Sequence, residues 1–420
     1  MRRIVILGAG TGGTLAANRL RRALPTEDVS IVCVDRDDRH VYQPGLLFVP
    51  FGLAQVPEIV RPRRAQLRAG VEFRNDDVEH VDLEHRRVHL SSGAVFEYDV
   101  LVIATGATLA LDDTEGLTGS GWMEKVFTFY TPEGASALEA ALATFDGGRV
   151  VVNVVDMPIK CPVAPLEFCF LADWYFHERG VRDRVELTFA TPLDAAFTQP
   201  IAARHLGTML DERKVALVTE FNTESVDGAS GVLRSYDGRE IPFDLAVVIP
   251  AHSGAAYVTR SPGLGDALGF IEADPHTLQS RAAPEVFVLG DAAALPISKA
   301  GSVTHFEGEV LVENVRRFLA DEPLDASYDG HSNCFIETGF DKAMLIDFNY
   351  EVEPETGHYP GRAGLPLLKE SRLNHLGKLM FQWFYWHVLL PGRDVPGITS
   401  AMPLAGKRPE DVPDKREEHP

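Results

Sequence analysis

Apolar residues fall along this chain in short unbroken runs, separated by glycine turns and by stretches of helical period. "RRIVILGAG" passes into "TGGTLAANRLRRAL", which predicts a strand, a glycine turn and a helix. "VSIVCVDRDD" is a second buried strand ending in acid. The shorter "VEFRN" and "RRVHL" then precede the run "YDVLVIATGA". From about residue 115 a new unit is predicted: a helix over 132–145, a strand over 149–155 and a loop. A helix over 165–178, the strand "RVELTFAT", a helix over 199–213 and the strand "ALVTE" complete it. Strands apolar on both faces and alternating with helices predict parallel, doubly wound sheets. "FDLAVVIPAH" is predicted to return the chain to the first unit, and "EVFVLGDAAAL" adds a further strand and turn. Past about residue 325 the alternation stops. Short mixed elements and an aromatic helix lead to a charged, proline-containing end predicted to be disordered.

The first turn carries chemistry. Gly8, Gly10 and Gly13 form G-x-G-x-x-G between strand and helix, and Asp35 follows 22 residues after Gly13, at the end of the second strand. The glycines allow the turn, the approach of a pyrophosphate and close helix–strand packing, while the carboxylate suits a ribose hydroxyl. The helix start adds amide donors and partial positive charge. The pattern thus predicts an α/β chain with two Rossmann-like dinucleotide-binding domains and a C-terminal region. Segments 1–112 and 246–325 would form the first domain, 113–245 the second, and 326–420 the remainder.

Composition narrows the partners. A net charge of −21 argues against nucleic acid, and an anionic bilayer would not attract the chain electrostatically, so any membrane contact must be hydrophobic. Four cysteines, Cys33, Cys161, Cys169 and Cys334, are too few for a secreted disulfide framework. No signal peptide is expected before the first strand, no apolar run is long enough to span a bilayer, and no His/Cys spacing suggests a metal site. A protein on the cytoplasmic face is expected, with self-association left open.

The loop "DMPIKCPVAPLE", 156–167, is the anomaly. In a two-nucleotide oxidoreductase a second glycine fingerprint would follow this strand. Here Gly147 and Gly148 precede the strand, and Pro158, Pro162 and Pro165 donate no N–H to a phosphate. A nicotinamide is therefore not the expected reductant. Cys161 stands in the loop instead, where Lys160 and the following helix would favour its thiolate. Cys33, within "SIVCVD", and Cys169, within "LEFCFLADWYF", are expected in the core.

Residues 101–107, "LVIATGA", and 286–294, "VFVLGDAAA", resemble the later signatures of FAD-binding two-dinucleotide-domain flavoproteins. "PIKCPVAPLE", "PISKAGSVTHFEGEVLVENV" and "YDGHSNCFIETGFDKAMLIDFNYE" are similar to segments of sulfide:quinone oxidoreductases of the two-cysteine branch. That resemblance implies FAD held noncovalently, since no cysteine lies between Cys33 and Cys161 to attach it. Gly8, Gly10, Gly13, Asp35, Pro44, Thr105, Gly106, Gly290, Asp291 and Lys299 would meet the cofactor. It further implies that Cys161 and Cys334 form a redox disulfide attacked by hydrosulfide, with electrons passing through FAD to a membrane quinone. Glu167, Lys299 and His305 are candidate proton or charge carriers, and Phe335 and Phe340 candidate quinone-pocket walls. The stretch 372–390 places Leu376, Met380, Trp383 and Phe384 on one stripe, with Asn374, Lys378 and Gln382 elsewhere, as in an interfacial helix on a bilayer. Three other readings stay open: a sulfide dehydrogenase flavoprotein with a cytochrome acceptor, a type II NADH:quinone reductase, and a flavin sulfur carrier or redox sensor.

Overall fold

The computed structural model describes residues 1–393 and 399–408. The charged end predicted to be disordered lies, from residue 409, outside the described residues. The first elements are β1 (Arg2–Leu7), α1 (Thr11–Ala23), β2 (Val29–Asp35), β3 (Val71–Asn75) and β4 (Val100–Ile103). Next come β5 (Val126–Phe127), α2 (Pro132–Thr144), β6 (Gly148–Val154) and α3 (Ala164–Glu178). They are followed by β7 (Val185–Ala190), α4 (Pro200–Glu212), β8 (Val215–Val218) and β9 (Leu245–Ile249). The chain continues with β10 (Val286–Val288), α5 (Gly301–Leu319), β11 (Ser332–Gly339), β12 (Lys342–Phe348) and α6 (Arg372–Phe384).

Two parallel sheets result, in the orders β10-β4-β1-β2-β3 and β5-β9-β6-β7-β8. Ile4 to Leu7 of β1 are wholly buried, as a central strand covered on both faces requires. One expectation is overturned. The run "FDLAVVIPAH" does not return to the first sheet. Its strand β9 lies between β5 and β6, pairing Leu245–Ile249 with Val150–Val154, and the chain rejoins the first sheet only with β10. An apolar run fits the centre of either sheet equally well, so periodicity alone could not choose. "RRVHL" is likewise a strand (Arg87–Leu90), but in a separate antiparallel sheet with Val78–Asp82 and Val95–Glu97.

The hairpin β11–β12 packs on the second unit: Ile336, Met344, Ile346 and Phe348 share a core with Leu166, Phe170 and other residues of α3. That packing brings the strand carrying Cys334 against the helix that follows Cys161. Helix α6 starts at a Ser371 cap, whose hydroxyl accepts the Asn374 N–H, and runs into a π-helical turn, Tyr385–Leu389. Among the described residues, no helix is long and apolar enough to cross a membrane.

Candidate active site

Both parallel sheets turn the C-terminal ends of their strands toward one cavity of about 630 Å³, where open α/β sheets bind ligands. After β1, Gly8 has φ +92°, and a Cβ there would lie 2.4 Å from Ala104 O; one on Gly13 would lie 1.7 Å from Gly8 O. Both positions therefore need glycine. Gly8, Gly10, Gly12 and Thr11 line the cavity, as do Pro44, Thr105, Gly106, Gly290 and Asp291. Gly13 packs beneath the turn. Asp35 accepts the Ala9 N–H at 2.6 Å and pairs with Arg63 at 3.0 Å, while burial pushes its carboxyl up. Arg63 also reaches Asp37 at 3.2 Å and lines the cavity.

The Cys161 loop is held from two sides. Its N–H donates to Lys299 O at 2.7 Å, and the Tyr130 hydroxyl donates to Lys160 O at 2.9 Å. Cys161 itself takes φ +47°, a left-handed conformation costing a β-carbon residue on the order of 1 kcal/mol. Lys299 is buried, with Nζ donating to Asp291 O (2.7 Å) and Ala293 O (2.9 Å) and lying 4.3 Å over the Phe270 ring. It thus ties the Asp291 turn to the Cys161 loop.

Cys334, on β11, lines the same cavity, and both cysteines are free thiols. Burial raises both, Cys334 to about 12; Glu167 adds to the rise in each, and the neighbouring Cys334 adds to that of Cys161. The expectation that Lys160 would favour the Cys161 thiolate is not met; the Ala164 N–H at the start of the following helix does favour it, but burial outweighs that. The cation that opposes the rise at both thiols is Lys378, from α6. Lys378 forms a buried ion pair with Glu167 and donates to Phe335 O at 3.0 Å. Burial disfavours its charge, but Glu167 outweighs that and holds its pKa above the ordinary lysine range. Glu167 also accepts the Glu337 N–H at 2.6 Å, and His375 pairs with the Glu337 carboxylate at 3.0 Å.

Some predicted residues are not brought here. His305 is buried in α5 beside Phe306 and off the cavity wall; burial and Arg19 hold its pKa down to about 3. Phe340 sits outside the cavity, against His177 and the Arg213 guanidinium. Phe335 does line it, its ring allowed in by Gly377, where a Cβ would meet Phe335 Cζ at 2.9 Å. Cys33 and Cys169 are buried, as expected.

Sequence reasoning missed Lys378, Arg63 and Tyr385. Lys378 shares one face of α6 with the fully buried Asn374, opposite the exposed Leu373, Leu376, Leu379, Met380 and Trp383. The polar face of that helix points inward. The predicted stripe is therefore corrected: Phe384 is half-buried against the core, and Trp386 is buried under the Arg61 guanidinium, 4.3 Å away. An apolar face turned outward forces the polar face toward the protein, and that inversion was the available signal.

Residues 2–153 match the model of the pyridine nucleotide-disulphide oxidoreductases. The chain is 28% identical over 397 residues to the mitochondrial sulfide:quinone oxidoreductase of Mus musculus, covering 93% of this chain and 86% of that one. The mitochondrial sulfide:quinone oxidoreductase of Dictyostelium discoideum is also 28% identical, over 93% of this chain and 86% of its own. Over nearly its whole length the chain is similar to the sulfide:quinone oxidoreductase family. It shares the fold of the sulfide:quinone oxidoreductase structure from Aquifex aeolicus: TM-score 0.79, 19% identity, 94% of this chain and 92% of that one. The family is one of flavoprotein oxidoreductases, and the residues present fit a dinucleotide. A Cβ on Gly8 or Gly13 would run into backbone, whereas one on Gly10 would stand in the open space of the cavity, its nearest neighbour Arg63 at 3.9 Å, and would fill the place where a phosphate would approach. Lys160 is on the cavity wall, where burial disfavours its charge and Asp291 supports it.

Proposed function

We propose that this protein oxidises sulfide to sulfane sulfur through Cys161 and Cys334 and passes the electrons, via noncovalent FAD, to a membrane quinone. The observation that carries the reading is the convergence of two thiols, one from a loop and one from a strand far away in sequence, on one cavity wall beside the Lys378 cation. Asp35, the Gly8–Gly13 turn, Thr105–Gly106 and Gly290–Asp291 would hold FAD. When bound, FAD supplies a two-electron acceptor.

The chain's own part is thiol exchange. In the oxidised enzyme the two cysteines form a disulfide. Hydrosulfide attacks one sulfur, the S–S bond breaks, a persulfide forms on the attacked cysteine and the other departs as thiolate. Its negative charge would be costly in so buried a place, and the Lys378 ammonium offsets it. Glu167, tied to Lys378, would take and return protons near Phe335, on the quinone side. Five large apolar side chains stand exposed on α6: Leu373, Leu376, Leu379, Met380 and Trp383, each more than half accessible. They suit a peripheral lipid contact that would let quinone enter from the bilayer on the cytoplasmic face.

The purified yellow protein should bleach when sulfide is added anaerobically and recolour with a soluble quinone. Cys161→Ser and Cys334→Ser should each retain FAD and lose rapid bleaching. If both bleach at the wild-type rate, the cysteine mechanism is wrong. Bleaching by NADH would instead favour a type II NADH:quinone reductase. Bleaching without recovery would favour a sulfur carrier, and recovery only with a cytochrome a sulfide dehydrogenase.

A further inference from the structure

The turn after α6 reaches the phosphate loop from outside the sheet that carries it. Tyr385 is buried, and its hydroxyl lies 2.7 Å from Thr11 Oγ1 and 2.7 Å from His40 Nε2. Thr11 opens α1, between the second and third glycines of the fingerprint, and both Thr11 and Tyr385 line the cavity. The tyrosine ring is fixed by Tyr42 at 4.9 Å and Trp386 at 5.1 Å between centroids. Beyond it, Asn18 Nδ2 donates to Leu390 O at 2.7 Å and Arg22 to Pro391 O at 3.0 Å. The segment is thus fastened along α1, the helix whose first turn faces the phosphates. Burial, with Arg63 second, holds His40 down to about 3, so it is neutral and adds no charge beneath the loop.

We propose that Tyr385 is a positioning residue for the dinucleotide: by holding Thr11 it fixes the first turn of α1, so that affinity for the pyrophosphate depends on a segment 374 residues further along the chain. This rests on the reading that the cavity binds FAD. Phenylalanine at 385 would keep the ring packing and free Thr11 to turn away. The loop would then have to be ordered by the ligand itself, a cost paid at binding.

FAD is stripped from the full chain and titrated back, and ADP, which carries the same pyrophosphate without the flavin ring, is titrated in parallel. Tyr385→Phe should weaken both ligands by about tenfold, roughly the worth of one hydrogen bond, with the melting temperature of the FAD-free protein unchanged within about 2 °C. Thr11→Val should weaken both similarly, and the double variant no further, because the two hydroxyls act as one unit. Unchanged FAD and ADP affinities in Tyr385→Phe overturn the proposal, as does a melting temperature that falls in step with affinity. Should Tyr385→Phe fail to fold, Thr11→Val decides alone, and wild-type affinities in it are fatal. A wild-type chain that takes up ADP but no flavin would sink the functional reading, while the ADP affinities would still decide the role of Tyr385.

Discussion

Glu307 offers a test worked directly from the structure. It lies on α5, almost wholly buried, beneath the turn that presents Asp291 to the cavity, and its Oε2 accepts the Gly290 N–H at 2.7 Å. Burial is the main cause that lifts its carboxyl from 4.5 to about 7; the Gly290 N–H opposes this, Asp291 adds to it, and Lys299 pulls back. Because the folded pKa is raised, the native state binds this proton more tightly than the unfolded chain. The stabilisation is complete below about pH 4.5 and is lost as pH climbs through about 7. A rise of that size corresponds to roughly 3 kcal/mol between the two limits. Glu307→Gln keeps an acceptor for the Gly290 N–H and removes the titration. Wild type and variant should therefore melt at similar temperatures near pH 5, and the variant should gain several degrees by pH 8. Subtracting the curves cancels Asp35 and Glu167, whose carboxyls burial also raises. A difference in melting temperature that stays flat from pH 5 to 8 would refute the assignment of a proton to this buried carboxyl.

Three other outcomes follow from named contacts. Lys378→Met leaves Glu167 buried without its cation and should cost ~3–5 kcal/mol by chemical denaturation, most of it recovered when Glu167→Gln is added; an equal loss in the double variant would contradict this. Gly13→Ala puts a Cβ 1.7 Å from Gly8 O and should destabilise by upwards of about 3 kcal/mol, with loss of bound flavin. A variant that melts like wild type would show that the turn can relax. Trp383→Glu and Met380→Glu, at positions 62% and 68% exposed, should leave stability within about 0.5 kcal/mol yet reduce co-sedimentation with phosphatidylcholine vesicles. Undiminished sedimentation would remove α6 from any lipid contact.

The sequence by itself determined the parallel strands, because a run such as Ile4–Leu7 has no polar face to leave in water. It also determined the turn at Gly8–Gly13, where backbone passes too close for a β-carbon, and the missing second fingerprint at 156–167. Those are local properties, written in consecutive residues. What surrounds Cys161 was not. That its thiol shares a wall with Cys334, that Lys378 rather than Lys160 faces both, and that Tyr385 braces Thr11 all depend on where the C-terminal hairpin and helix pack. The placement of β9 is of the same kind, since two sheet centres of equal apolarity compete for one strand. Periodicity reports which face of an element is buried; only packing decides against what, and charges exert their effect over the few ångströms that packing sets.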